Sequence, residues 1–424
     1  MKIKTPFLAM TALSCGLFLC APEAGAQSYF ENYVNDNQGQ APHRQPKSAK
    51  QRVAAGKIRR SHTFTDVGQD YTDFKDWLSK EHGIDFGIDV SVMGQRGAPG
   101  GHKTSLQTII YPYLTWQTFQ NEYGTGTLNM AYNIVRYGGS INGNNLGSRL
   151  GAVTGINDYG DSSNAFDELY YSYQLGGSWN WLTLALGQFP LYNFDGGTYD
   201  ANQQVNFINE ALSQNLTSTY STSGVGAYAQ ITPDSEWTFA FGAQDASNID
   251  GISVRVNDLN DNHYATFGYV AYSPSVKGLG SGQYSVLVYN QPAVSEQPET
   301  TNGWSLNLSQ DIGKKWSIFA RINGVSGHVA EVNRSYVLGA VYNDPLDRNP
   351  LDQIGFAAAY NRVDEKALGE PTEHKYEKVL EAYWAWGISK WMTITPDIQF
   401  YIDPALNPKS DYDTVFSLRT TFFF

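Results

Sequence analysis

Cysteine is scarce in this chain of 424 residues, since it occurs only at Cys15 and Cys20. The rest of the chain therefore cannot be stabilised by disulfide bonds. Charged residues are also few, at 17% of the sequence against roughly 25% in an average soluble domain. No stretch after residue 26 approaches the roughly 20 apolar residues of a membrane-spanning helix. These absences exclude a disulfide-rich domain and a helical membrane protein.

Positive charge is in short supply over most of the chain. The formal net charge is −12, and the first 60 residues hold 9 of the 29 basic residues but only 3 of the 41 acidic ones. Residues 61–424 consequently carry a net charge of −18, which excludes nucleic acid as a partner because its backbone requires the opposite sign. Aromatic residues (14%) and glycine (41 residues) are plentiful, and this mixture favours a folded β protein over disorder.

Residues 1–26 have the features of a secretion signal. Lys2 and Lys4 precede an apolar run at 7–19, and Ala24-Gly25-Ala26 provides small residues for cleavage before Gln27. Lipidation at Cys15 or Cys20 is the alternative, but bulky residues before Cys20 disfavour it. The segment predicts an exported protein located in a bacterial envelope.

The next segment, 27–70, is a polar and basic arm, and two interpretations of it stay open. Residues 44–60 contain no acid and seven basic residues: Arg44, Lys47, Lys50, Arg52, Lys57, Arg59 and Arg60. The arm is either a solvated linker or a contact to an anionic partner such as lipid headgroups or cell wall. A short periplasmic helix is expected at 71–83, where Thr72 suits the amino-terminal cap and Gly83 the end.

From residue 84 onward, apolar and polar residues alternate with a period of two, as β-strands require. At 392–402, for example, Ile394, Ile398 and Phe400 share one face, while Thr395 and Gln399 share the other. Sixteen segments show this pattern, at 84–94, 106–120, 126–138, 166–176, 180–190, 222–232, 236–245, 263–273, 282–290, 302–311, 315–324, 336–342, 353–362, 376–386, 391–401 and 413–424. The pattern predicts an all-β fold over 84–424.

The connections between these segments alternate in length. Those at 121–125, 177–179, 233–235, 312–314 and 387–390 are short, and those at 139–165, 191–221, 246–262 and 363–375 are long, with 343–352 as an exception. Outer-membrane barrels have short turns at the periplasmic end and long loops at the other. The sequence therefore predicts a transmembrane antiparallel β-barrel of about 16 strands, wide enough for an aqueous channel.

Tryptophan placement separates a membrane barrel from a soluble sandwich. Eight tryptophans flank the short turns or lie on strands running toward them: Trp116, Trp179, Trp181, Trp237, Trp316, Trp384, Trp386 and Trp391. Indole rings prefer the headgroup layer, so a belt at one end indicates a bilayer. The last strand closes with Phe424 after apolar residues at every second position. This ending resembles the signal by which barrel assembly machinery selects its clients.

Three stretches resemble the carbohydrate-selective porins of the OprB type. They are FDELYYSYQL…WLTLALGQFPLYNFDGGTYDANQQVNFIN at 166–209, the tail YEKVLEAYWAWGISKWMTITPDIQFYIDPALNP…FSLRTTFFF at 376–424, and DFKDWLSKEHGIDFGIDVSV at 73–92. The resemblance covers about residues 70–424. It implies a sixteen-stranded outer-membrane channel for the diffusion of sugars, with glucose the chief one.

A diffusion channel needs a polar lumen with a constriction, and strand phase predicts which side chains face it. The predicted pore-lining or constriction residues are Asp85, Asp89, Glu168, Tyr192, Phe194, Asp195, Arg321, Glu381, Asp397 and Arg419. For each strand residue the alternative is a structural ladder of charges that braces the wall, with Asp397 and Arg419 as neighbours. The connection 191–221 either folds inward to narrow the pore or remains a surface loop.

No cofactor is predicted. Asp195, Asp200 and Glu210 could hold Ca²⁺, but they lack the spacing of a dedicated calcium loop. The sequence contains no Gly-x-Ser-x-Gly, His-Glu-x-x-His or Gly-x-x-x-x-Gly-Lys motif, so no enzymatic activity is predicted.

We therefore predict an outer-membrane porin for glucose and similar small neutral sugars. The expected partners are lipid and sugar, with a homo-oligomer left open. The rivals are a conduit for polysaccharide export that docks through the arm, and a barrel enzyme such as a phospholipase.

Overall fold

A computed structural model of the chain describes residues 69–98 and 103–424. The predicted leader and nearly all of the basic arm lie outside the described residues. The sixteen strands of the barrel, numbered β1 to β16, are Ile84–Ala98, Thr104–Asn121, Gly124–Gly139, Ser163–Leu175, Leu182–Phe189, Gly224–Ile231, Trp237–Asp245, Tyr264–Tyr272, Gly280–Gln291, Thr301–Ile312, Trp316–Val325, Val332–Asn343, Gln353–Val363, Tyr376–Ser389, Met392–Ile402 and Tyr412–Phe423. The prediction of an all-β barrel is confirmed, and each predicted segment coincides with one of these strands to within four residues.

The barrel is closed. Each strand pairs antiparallel with the next, and β1 pairs on its other side with β16, where Asp89 lies opposite Phe423. A two-residue strand, Ser275–Val276, adds a small pairing to the start of β9 at Gly280 and Ser281. Closure gives every wall strand two neighbours, so no row of backbone polar groups is left as an open edge.

The helices are short. They are α1, Gln69–His82; α2, Gly143–Leu150; α3, Glu210–Ser213; and α4, Glu365–Leu368. Three single turns of 3₁₀ helix occur at Gly177–Trp179, Leu191–Phe194 and Val256–Asp261. Among the residues that the structure describes, none of the helices is both long and apolar enough to cross a bilayer.

The connections alternate between the two ends of the barrel, and the four longest, 140–162, 190–223, 246–263 and 364–375, all lie at one end. One end, here called the short-connection end, has seven connections: 122–123, 176–181, 232–236, 273–279, 313–315, 344–352 and 390–391. The other, here called the long-connection end, has 99–103, 140–162, 190–223, 246–263, 292–300, 326–331, 364–375 and 403–411. Helix α1 and Phe424 lie at the short-connection end, where the backbones of Phe424 and Ile88 exchange hydrogen bonds of 3.0 and 3.1 Å.

The outer surface of the barrel is apolar and exposed. Along each strand the apolar set of the alternation faces outward, and Leu186 and Leu338 are 67% and 65% exposed. The polar set faces inward and is buried; Thr395 and Gln399 on β15 have no exposed surface. A soluble protein would bury the apolar set, so this inside-out distribution indicates a surface that contacts hydrocarbon.

The predicted tryptophan belt is present with one correction. Seven of the eight tryptophans are half-buried or exposed, with Trp179 and Trp316 the most exposed at 54% and 46%. Trp391 differs, because it is only 3% exposed and packs inside the barrel mouth with Leu351 and Phe423. Trp391 shares the inward phase of Thr393 and Thr395, so the alternation predicts its direction, whereas its place beside a short turn suggested the belt.

Two long connections fold into the barrel. Leu146 and Leu150 of α2 belong to one buried cluster with Phe207 and Leu212 of the 190–223 connection. The same cluster includes inward side chains of β11 to β16, among them Phe319. The hydrophobic core of the protein therefore lies inside the barrel, between the wall and these two segments, and not between two sheets.

Candidate functional site

The connection 190–223, here called the inner loop, lies inside the lumen. The side chains of Phe207, Ile208, Ala211 and Leu212 have no exposed surface. A surface loop would expose these apolar residues to water. Of the two alternatives left open by the sequence, the structure therefore shows the inward fold and not the surface loop. The segment is held by hydrogen bonds to the inner faces of strands around most of the wall.

Aromatic packing fixes the start of the inner loop. The ring of Phe194 lies 4.7 Å from that of Phe267, 5.3 Å from that of Tyr228 and 5.4 Å from that of Tyr269, measured between centroids. Tyr192 is also buried, and its hydroxyl donates to the side chain of Gln214 further along the loop. Both were predicted to lie at the constriction, and they act here as the apolar anchor of the loop.

Arg321 on β11 fastens the middle of the inner loop. Its guanidinium donates to the carbonyls of Asp200 and Ala211, both at 2.7 Å. It also lies 3.2 Å from the carboxylate of Asp200, and both side chains are almost entirely buried. Burial raises the pKa of Asp200, and the positive charge of Arg321 opposes that rise. A buried charge pair with this many hydrogen bonds is costly to break.

Arg419 on β16 fastens the inner loop from a second direction. Its guanidinium donates to the carbonyl of Asn206 at 2.8 Å and to that of Gln203. Two positions along the same strand, the Thr421 hydroxyl donates to the carbonyl of Gln204 at 2.7 Å. The carbonyls of Gln203, Gln204 and Asn206 are thus satisfied by side chains of β16.

Glu381 on β14 holds the loop by accepting hydrogen bonds from its backbone. The carboxylate accepts from the amides of Ile208 at 2.6 Å and Asn209 at 2.9 Å. The side chain of Asn209 then donates to Gln399 at 3.1 Å and to Tyr401 at 2.6 Å, both on β15. Carboxylates that accept backbone amides are among the stronger protein hydrogen bonds.

Glu168 and Asp195 complete the contacts near the loop ends. Glu168 on β4 accepts from the side chain of Asn193 at 2.8 Å. Asp195 accepts from Asn215 at 2.7 Å and from the Tyr220 hydroxyl at 3.0 Å. The contact between Asp195 and Asn215 brings the two ends of the inner loop's lumenal part together.

The remaining predicted residues occupy other positions. Asp397 is buried on β15, diagonally across from Arg419, because the register places Thr395 opposite Arg419. Asp85 and Asp89 on β1 lie toward the short-connection end, where their charges act on Lys75 of α1. Burial lowers the pKa of Lys75 to about 8, and the two aspartates oppose that shift.

Sequence reasoning missed a second set of residues that shape the lumen. Glu377 on β14 is fully buried and accepts three backbone amides, from Val153 at 2.9 Å, Thr154 at 2.8 Å and Ala405 at 3.0 Å. It shares the strand phase of Glu381, four residues later, and this phase was the available signal. For the inward fold of 140–162, the signal was the apolar pair Leu146 and Leu150 one helical turn apart.

A cavity with a volume of about 290 Å³ opens at the long-connection end. Its wall includes polar and acidic side chains, namely Asn144, Ser148, Thr154, Asn157, Glu331 and Glu370. The size is at the lower end of the range for small-molecule sites, about 300 Å³. Within the two described ranges, no group of three or more acidic, histidine or cysteine side chains could hold a metal ion.

We expect the stability of the inner loop to depend on pH through the carboxyl group of Glu210. Its carboxyl accepts from the amide of Gly155 at 2.9 Å, and burial raises its pKa to about 7 from an ordinary 4.5. The negative charges of Asp158 and Glu331 contribute to the rise. A carboxyl with a raised folded-state pKa stabilises the fold fully below about pH 4.5, and this contribution is lost as the pH rises through 7.

We therefore expect single-channel current noise from loop fluctuations to increase between about pH 4.5 and 7. The substitution Glu210→Gln, which stays neutral, should remove this dependence. Noise in the Glu210→Gln protein that still rises over the same interval would contradict the assignment.

Comparisons with known proteins agree with this geometry. The sequence profile of the family described as "Carbohydrate-selective porin, OprB family" matches residues 254–424. Porin AaxA of Chlamydia abortus is 37% identical over 361 residues, which cover 85% of this chain and 77% of that porin. Porin AaxA of Chlamydia pneumoniae is 36% identical over 371 residues, covering 85% and 83%. This chain belongs to the OprB family of porins.

The fold of this porin is that of a solved relative. The high-pH structure of Pseudomonas putida OprB superposes with a TM-score of 0.69 at 15% identity, covering 84% of this chain and 98% of that one. The predictions of family and of location are confirmed: the protein is an outer-membrane β-barrel. The short-connection end is accordingly periplasmic and the long-connection end extracellular. Family and fold are those of channels, which in general are not enzymes.

Proposed function

We propose that this porin mediates the passive diffusion of glucose and similar small neutral sugars across the outer membrane. The observation that supports the proposal is the balance of charge on the inner face. The buried charged side chains Arg321, Arg419 and Glu381 are engaged by loop backbone, and Arg321 also by the Asp200 carboxylate. We propose that the inner loop thereby screens these charges from a passing solute, although the Nε of Arg321 and the Nε and Nη2 of Arg419 have no hydrogen-bond partner among the described residues.

Uncharged polar groups also lie on the same face, where they are buried in this structure. Buried inward atoms with no hydrogen-bond partner in the described part of the chain include the side-chain amides of Asn129, Gln230 and Asn323 and the hydroxyl of Thr395. Amides and hydroxyls donate and accept without charge, as water does toward a sugar. We propose that these groups become accessible when the inner loop moves and then replace part of the hydration of a sugar that passes.

The proposed route of the solute runs from the extracellular end of the barrel to its periplasmic end. The extracellular cavity beside Glu331 and Glu370 serves as the entry, and the inner loop as the constriction below it. Asp85 and Asp89 line the periplasmic exit in this proposal. No step of it involves catalysis, since diffusion requires only a polar path.

Liposomes containing the chain from Gln27 onward test the proposal. Glucose is expected to enter faster than a zwitterion of similar size, because a zwitterion would lose hydration of two charges at a constriction that offers it mainly neutral groups. Swelling rates in isotonic solutions of each solute measure the difference. Liposomes with heat-unfolded protein are the control, and equal rates for the two solutes would reduce the protein to an unselective pore.

The carboxyl terminus has a separate proposed role. Phe424 continues the pairing of β16 with β1 at the seam of the barrel. We propose that the barrel assembly machinery recognises this terminal strand before the seam closes.

A further inference from the structure

Two arginines on the outer wall of the barrel lie directly opposite each other at its extracellular end. The register pairs Arg334, near the start of β12, with Arg362, near the end of β13. Both belong to the outward set of the alternation, since the neighbouring residues Ser335 and Asn361 are buried on the inner face. Like charges at directly opposed positions of a sheet destabilise it. An anion bound between the two guanidinium groups, here called the arginine pair, would relieve this repulsion.

No carboxylate of the described residues neutralises the arginine pair. Neither Arg334 nor Arg362 forms an ion pair with any of them. The Nη1 of Arg334 donates to the carbonyls of Val325 at 2.9 Å and Asn333 at 2.7 Å, which positions the guanidinium and leaves its charge. The acid nearest to Arg362 in sequence, Asp364, accepts from Asn333 at 2.8 Å and caps helix α4. Two positive charges therefore remain uncompensated at the extracellular rim.

The wall beside the arginine pair has the layered order of a surface that crosses a bilayer. Two residues closer to the middle of the barrel, Tyr336 lies opposite Tyr360, with ring centroids 6.4 Å apart, and Tyr360 stacks on Tyr376 at 4.9 Å. Two residues further along the strands come the exposed leucines Leu338 and Leu380. Tyrosine is typical of the headgroup layer and leucine of the hydrocarbon layer. Each such step spans roughly 7 Å along a strand, so the arginine pair lies at the level of the lipid headgroups.

An outward pair elsewhere on the same end of the wall is uncharged. Asn290 on β9 lies opposite Asn302 on β10, and its side-chain amide donates to that of Asn302 at 3.0 Å. Amides both donate and accept, so this pair is satisfied within the chain. Guanidinium groups only donate, and two of them cannot satisfy each other. The arginine pair thus offers its donors to an acceptor outside the chain.

We propose that the arginine pair binds the phosphate group of an outer-leaflet lipid, with Tyr336 and Tyr360 against the base of the lipid headgroup. The forked donors of a guanidinium match the oxygens of a phosphate. Two observations favour lipid over a second copy of the chain. The pair would repel the same pair in a copy related by two-fold symmetry, and it lies on a continuation of the apolar outer wall.

Lipid binding by the purified barrel tests the proposal. The chain from Gln27 onward, in detergent, is titrated with diphosphoryl lipid A and with the same glycolipid after removal of its phosphates. Native mass spectrometry measures the fraction of protein that retains one lipid. The phosphorylated form should bind about tenfold or more tightly, and high salt should weaken this preference. The double variant Arg334→Gln with Arg362→Gln should lose the preference.

The matched control is Lys277→Gln with Lys314→Gln, which removes the same two charges from exposed positions in periplasmic turns. This control should bind both lipids as the parent does. Parent-like conductance in planar bilayers confirms a folded barrel in every variant.

Three outcomes would overturn the proposal. The first is a parent protein that binds the two glycolipids equally, and the second is an equal loss of preference in the glutamine variant and the periplasmic control. The third is a dimer of the parent that dissociates only in the glutamine variant, which would show that a second copy covers the arginine pair. None of these measurements depends on which solute the porin conducts.

Discussion

Removing residues 196–214 is expected to raise the single-channel conductance several-fold and to abolish discrimination between solutes of similar size. These residues occupy the lumen, and Phe207 to Leu212 pack against its wall. The gap can be bridged by a short glycine–serine linker, because Asn215 already contacts Asp195 at 2.7 Å. Without this segment the sixteen strands would enclose an open aqueous channel.

Planar-bilayer recordings in salt solution measure the conductance. The control is removal of 254–261 from another extracellular connection, where Val256 is 60% exposed and the lumen is not involved. We expect that control to conduct like the parent protein. A shortened inner loop that leaves both conductance and solute discrimination unchanged would show that the segment is not the constriction.

Replacing Arg321 by methionine is expected to lower the free energy of unfolding by about 3–5 kcal/mol, because Asp200 then remains buried without its charged partner. Two backbone carbonyls, those of Asp200 and Ala211, lose their donors at the same time. The inner loop should fluctuate more, so open-channel current noise should rise. Urea titration of the protein in lipid, followed by tryptophan fluorescence, measures the change in stability.

The double variant Arg321→Met with Asp200→Asn should recover a large part of this loss, since it removes both charges together. Lys315→Met is the matched control. Lys315 lies 2.7 Å from Asp347, but Asp347 is exposed and Lys315 only half-buried, and solvent-accessible pairs contribute about 0–1 kcal/mol. If Lys315→Met lowers the free energy of unfolding as much as Arg321→Met does, the buried pair has no special role in holding the inner loop.

The strands of the barrel wall could be predicted from the sequence because they depend on a pattern among neighbouring residues. A strand between lipid and water must alternate, and the alternation sets each strand's position and inward face. Arg321, Glu381 and Arg419 were assigned to the lumen on strand phase alone, and each is buried there. Trp391 was assigned to the belt because it flanks a short turn, although its phase matches the inward residues Thr393 and Thr395.

The contents of the barrel could not be predicted in the same way. The inner loop is rich in polar residues, as surface loops are, and its inward fold depends on partners more than a hundred residues away. Arg419 and Gln203, for example, are 216 positions apart. No local pattern encodes such a contact. The phase of Glu377 was visible in the sequence, but its partners at 153, 154 and 405 were not.

The position of the hydrogen bonds that hold the inner loop has a consequence for the assembly of the barrel. Arg419 and Thr421 lie on β16, the strand that also pairs with β1, so these hydrogen bonds to the inner loop cannot form until β16 has joined the sheet. A nascent sheet must keep the inner loop on its concave side while the wall is still incomplete. A chain truncated just before β16 would lose both the pairing that closes the barrel and these two contacts to the inner loop. The proteases that degrade misfolded proteins would then encounter an open sheet with a loosely held inner loop.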